Sequence, residues 1–143
     1  MEFKLNEDQQ MIHDLAAQFA QDIILPNIER IEGVAEVVVR DGSTQVQLPR
    51  DIHEALAETG FIGISFPEEY NGLGMGHVEQ AIVIKELSRV SPSVGKALDV
   101  YILGLEAIDL YATPEQKEKW LAPCCSGEQT VSFAFTEPDT GSD

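Results

Sequence analysis

Apolar residues near the start of the chain return at three- and four-residue intervals. Ile12, Leu15, Ala16, Phe19 and Ile23 make one stripe, which predicts an amphipathic helix. Asn6, followed by Glu7, Asp8 and Gln9, marks its start: an N-cap, acids in the first turn and an N3 glutamine able to close a capping box. Pro26 predicts its end. Between 34 and 48 the period shortens to two. Val37, Val38 and Val39, then Asp41-Gly42, then the alternating Thr44, Val46 and Leu48 predict two short strands around a tight turn. A second helix is expected from about Pro49 or Arg50, burying Ile52 and Leu56, with Gly60 as its C′ stop.

The helical period returns over about 78–89, with Ile82, Val83 and Leu87 inward. It returns again over about 93–110, with Ala97, Leu98, Tyr101, Ile102, Leu105 and Ile108 inward. A fifth helix opens at Thr113-Pro114-Glu115-Gln116, which supplies N-cap, N1 proline, first-turn acid and N3 glutamine. The apolar run Phe61–Phe66 is a possible strand. It leads into Pro67-Glu68-Glu69-Tyr70-Asn71-Gly72-Leu73-Gly74-Met75-Gly76, which is too rich in Gly and Pro for regular structure and predicts a shaped loop. Beyond Pro123, Val131, Phe133 and Phe135 alternate with Ser132, Ala134 and Thr136, the pattern of a strand with nothing after it to pair with. The class predicted is all-α, a bundle of about five helices with a small β-hairpin excursion, ending in one strand.

The 143 residues suffice for one compact domain, with 43% hydrophobic and 24% charged residues, a globular composition. Nine Lys plus Arg against 25 Asp plus Glu give a net charge of −16, which repels polyanions and argues against nucleic acid as a partner. No apolar run approaches the roughly 18 residues of a membrane span, and the first residues lack the layout of a signal peptide, so a cytoplasmic location is expected. The adjacent Cys124 and Cys125 cannot form an ordinary disulfide with each other and read as free, buried thiols.

Gly72, Gly74 and Gly76 invite a dinucleotide-loop reading. Five residues separate them from any strand, however, and Glu68 and Glu69 would face a pyrophosphate with negative charge. His13, His53 and His77 have no metal-ligand spacing. The tail is more informative: after Thr136, Pro138 and Gly141 turn the backbone and leave amides and the Thr136 and Ser142 hydroxyls for a polar ligand.

Three segments, Pro67–Gly74, Thr113–Leu121 and Phe133-Ala134-Phe135-Thr136-Glu137-Pro138 with Gly141-Ser142-Asp143, make the chain resemble the N-terminal part of the flavin-dependent acyl-CoA dehydrogenases. The resemblance implies a helical N-terminal domain over 1–128 and the start of a truncated middle β domain over 129–143. Residues 34–48 are longer and more strand-like than the family's usual connection. Members remove the α proton of an acyl-CoA with a carboxylate base and pass the β hydride to FAD, giving a trans-2-enoyl-CoA. They usually form homotetramers and hand electrons to an acceptor such as an electron-transfer flavoprotein. On this resemblance Phe133, Phe135, Thr136, Gly141 and Ser142 would contact FAD, with Phe135 and Thr136 at the pyrimidine edge of the flavin. Ser142 would also lie near the CoA arm, and Gly95 and Asp99 would face the acyl tail. The base lies in the family's C-terminal domain, so no catalytic residue is expected in this chain, which alone should be inactive. Alternatives are a short subunit docking on a longer homologue, and a flavin oxidase or monooxygenase on the same scaffold.

Overall fold

The computed structural model describes residues 4–33, 37–40, 43–46, 48–134 and 136–141. Helix α1 (Glu7–Phe19) begins as the sequence predicts: the Asn6 side chain accepts from the Gln9 amide at 2.8 Å, and Gln9 Oε1 accepts from the Asn6 amide at 3.1 Å. The stripe then changes phase. Residues Ala20–Ile24 form a π turn, in which the Leu25 amide donates to the Ala20 carbonyl five residues back. The extra residue rotates the downstream turn, so Ile24 rather than Ile23 is fully buried; upstream, in α1 itself, Leu15 is 40% exposed. Pro26 does not end the helical path. It falls at the start of a 3₁₀ segment, Leu25–Asn27, where its missing N–H is not needed, and a short helix, α2 (Ile28–Gly33), continues beyond it.

Strands β1 (Val37–Arg40) and β2 (Ser43–Val46) pair antiparallel, Val37 opposite Val46 and Arg40 opposite Ser43, which leaves two residues between the strands as the sequence predicts. The Asp41-Gly42 turn itself lies outside the described residues. Helix α3 (Arg50–Glu58) buries Ile52 and Leu56. It closes in a Schellman motif, with the Phe61 amide on the Leu56 carbonyl, the Gly60 amide on that of Ala57, and Gly60 at φ 77°. Helices α4 (His77–Val90), α5 (Pro92–Tyr111) and α6 (Pro114–Cys125) complete the bundle. α4 packs between α1 and α5, and α5 between α4 and α6.

The segment Phe61–Phe66 is a series of turns rather than a strand. Phe61, Ile62, Ile64 and Phe66 are all buried in the common core, so no alternation marks a solvent face. The loop after it folds back on it: the amides of Leu73, Gly74 and Met75 donate to the carbonyls of Gly63, Phe66 and Ile64 at 2.8–2.9 Å. Only glycine fits at position 72, where a Cβ would lie 2.1 Å from the Phe66 carbonyl oxygen. Asn71 ties the loop to α6 through the Ala122 carbonyl at 3.3 Å. Cys124 and Cys125 are free and buried, as their adjacency in the sequence predicts.

Candidate functional site

The chemistry expected of the tail depends on how residues 127–141 leave the bundle. The segment crosses α5 where α5 has no side chain: a Cβ at Gly104 would meet the two Val131 methyls at 3.2 and 3.3 Å and the Phe133 Cβ at 3.8 Å. Val131 is thereby half-buried against the core. One turn earlier on α5, the Tyr101 hydroxyl donates to the Gln129 carbonyl at 2.6 Å. Residues 131–134 form no ladder with the other described residues. Past Thr136, an isolated bridge joins Glu137 to Thr140, with Pro138-Asp139 as the turn between them.

Thr136 and the whole of 137–141 are exposed, and nothing lies within 4 Å of where a Cβ on Gly141 would stand. Phe133 is 40% exposed. Phe135 and Ser142 lie outside the described residues. The exposed Thr136 hydroxyl and the open turn fit the edge of a polar, planar cofactor such as FAD, which needs accessible hydrogen-bonding groups beside an apolar surface.

Gly95 and Asp99 differ in their surroundings. Asp99 is half-buried, and its carboxylate accepts from the Lys96 ammonium at 3.0 Å. Gly95 is buried against α4, and a Cβ there would fall 1.9 Å from the Ser88 hydroxyl and 3.1 Å from the Ser88 Cα. The missing side chain therefore lets α4 and α5 approach each other, and the space expected beside an acyl tail is filled by Ser88.

The glycine series 72, 74, 76 offers nothing to a phosphate. Its amides donate to the Pro67 and Phe66 carbonyls and, at 2.9 Å, to the Glu79 carboxylate. Among the described residues no group of three or more His, Cys, Asp or Glu is placed to hold a metal, and no helix is long and apolar enough to cross a membrane.

Sequence reasoning missed a cleft of about 740 Å³ between α3, α5 and the crossing segment, lined by Arg50, His53, Leu98, Tyr101 and Gln129 among others. The His53 ring lies 5.3 Å from that of Tyr101. Burial holds the His53 imidazole below its ordinary value, and its Nε2 is buried without a hydrogen-bond partner among the described residues. Burial also pushes the Tyr101 phenol far up, with the Val131 backbone amide acting the other way, so the hydroxyl is a neutral donor. These contacts span 28 residues or more, and no local pattern announces them.

Comparison with known proteins gives this geometry a context. The probable acyl-CoA dehydrogenase YngJ of Bacillus subtilis is 32% identical over all of this chain and 35% of its own length. An acryloyl-CoA reductase (NADH) of Anaerotignum propionicum is 35% identical over all of this chain and 34% of its own. The crystal structure of glutaryl-CoA dehydrogenase from Mycobacterium smegmatis superposes with a TM-score of 0.82 at 27% identity, covering 97% of this chain and 33% of that one. The chain thus spans about a third of the length of the relatives it matches. The family model "Acyl-CoA dehydrogenase, N-terminal domain" matches residues 6–128, which takes in all six helices and the hairpin. The chain belongs to the acyl-CoA dehydrogenase family.

Proposed function

We propose that this chain is the helical N-terminal part of an FAD-dependent acyl-CoA dehydrogenase, which converts an acyl-CoA thioester into a trans-2-enoyl-CoA. The family match over 6–128, with the same helical fold, carries the reading. In this reading residues 1–128 are the helical domain and 129–143 enter a middle β domain. Bound FAD would supply the acceptor for the β hydride.

This chain's own part is to bind and to orient. The Thr136 hydroxyl would hydrogen-bond the flavin edge, with Phe133 and Phe135 beside it. Gly141 and Ser142 would lie along the phosphates, and Ser142 near the CoA arm as well. Asp99, neutralised by Lys96, would stand on the acyl side of α5. Gly95 would act there indirectly, by setting how closely α5 approaches α4. None of the chain's carboxylates is assigned as the base that takes the α proton; that group belongs to the rest of the enzyme. A homotetramer, a cytoplasmic location and a flavoprotein electron acceptor complete the reading.

The acryloyl-CoA reductase relative favours a second reading, the same half-reaction run toward the saturated thioester. The test is to purify the chain together with the remaining domains and measure bound flavin. Dye reduction is then assayed on a panel of acyl-CoAs, and NADH oxidation on the matching enoyl-CoAs. Stoichiometric flavin with dye reduction supports the dehydrogenase, and NADH-dependent reduction with no dye activity supports the reductase. A colourless, inactive protein would overturn both. Thr136→Val should weaken FAD by about three- to tenfold, the worth of one hydroxyl hydrogen bond.

A further inference from the structure

We infer that Tyr101 is a positioning residue for flavin binding: with the bare backbone at Gly104 it forms a two-point seat on α5 that fixes the crossing segment and so sets where Thr136 stands. The inference rests on the proposed role of Thr136 and goes beyond it.

Two separate observations carry the seat. The phenol donates to the Gln129 carbonyl at 2.6 Å. Three residues further along α5, Gly104 leaves room into which the Val131 methyls fit at 3.2–3.3 Å from the Cβ that is missing there. Residues 101 and 104 are one turn apart on one face of α5, so both contacts lie on one line along the helix. The seat is also rigid. Ile102 and Leu105, on either side of Gly104, are fully buried, and the Tyr101 ring rests against His53 of α3. Thr136 lies five residues beyond Val131, at most about 17 Å of chain away, so where 129–131 is held bounds where its hydroxyl can stand.

The substitution Tyr101→Phe keeps the ring against His53 and removes only the hydroxyl, which donates to the Gln129 carbonyl and meets the Val131 amide. In the 143-residue chain, amide exchange at 129–134 should quicken about three- to tenfold while α4 and α5 keep their protection. Exchange that is unchanged at 129–134, or faster evenly through α4 and α5, would overturn the inference in favour of a merely structural tyrosine. The second measurement is a double-mutant cycle on FAD affinity and flavin potential in the holoenzyme. Tyr101→Phe should weaken FAD about three- to tenfold in the parent and have no further effect in a Thr136→Val background, because it acts through that hydroxyl. Additive losses would overturn the positioning role. If the parent holds no flavin, the dehydrogenase reading fails by itself, and the exchange measurement still decides whether the seat exists.

Discussion

Glu86 is 3% exposed at the seam between α1 and α4, with Lys85 Nζ and Arg89 Nε each 3.0 Å and His13 Nε2 3.3 Å from its carboxylate oxygens. Burial works to raise its pKa, but the three cationic or ring nitrogens outweigh it and hold the carboxyl below its ordinary value of 4.5. The folded state therefore favours the ionised form. That contribution is complete above the unfolded value and is lost as pH falls through the lower folded one. Because the basic partners keep much of their hydration, Glu86→Gln should cost about 1–3 kcal/mol at pH 7 rather than the penalty of a fully enclosed pair. Urea unfolding at pH 7 and at pH 3 checks this. The deficit of the variant should shrink in acid, and an equal deficit at both pH values would show that the charge of Glu86 plays no part.

Between elements, the contact with a distinct consequence is α2 against the start of α5. Glu32, near the end of α2, accepts from the Ser91 and Ser93 hydroxyls at 2.5 and 2.6 Å and from the Ser93 amide at 3.3 Å. Ser91 in turn caps α5 through the Val94 amide at 3.2 Å. A carboxylate from another helix thus completes the N-terminus of α5, where the dipole favours negative charge. The two serine hydroxyls hold the Glu32 carboxyl below its usual range, so the contact persists at neutral pH and fades only in acid. Glu32→Gln should quicken amide exchange at 93–95 by about fivefold, with α6 unaffected. No change there would leave Ser91 as the sole cap.

How much of the fold and site is legible in the sequence depends on the range of the interactions. Asn6 with Gln9, Thr113 with Gln116, and Gly60 announce helix ends because cap and capped groups lie within five residues of each other. The helix α2 escaped because Pro26 reads as a stop wherever it falls. The run Phe61–Phe66 resembled a strand because its apolar residues are all buried, and burial on all sides erases periodicity. Ser88 against Gly95, Glu32 against Ser91 and Tyr101 against Gln129 join different elements, and only the packed fold brings them together.

For the molecule as a whole, the net charge of −16 is spread over a surface whose pairs are mostly solvent-exposed: Arg30 with Asp51 at 2.5 Å, Arg50 with Glu54 at 2.7 Å, Lys96 with Asp99 at 3.0 Å. Such pairs contribute little each, while the unpaired excess of carboxylates repels at long range. Salt screens the repulsion over a distance of about 8 Å at physiological strength. Raising NaCl from about 0.02 to 0.5 M should therefore raise Tm by about 3 °C, or roughly 1 kcal/mol. A falling Tm in a calorimetric salt series would mean that the ion pairs outweigh the repulsion.

The two adjacent thiols at the end of α6 bear on time rather than on energy. Cys124 and Cys125 are 4% and 2% exposed, and burial pushes both up, Cys125 to about 12. Only the thiolate attacks, and burial at the end of α6 both disfavours that form and keeps the two sulfurs from solvent. Chemistry at these sulfurs must wait for α6 to lift, and it then proceeds at the normal speed of an exposed thiol. The pair is a stopwatch sewn into the lining of the bundle, started by each departure of α6 and stopped by its return. Without any added label, it records how often the core of this domain breathes.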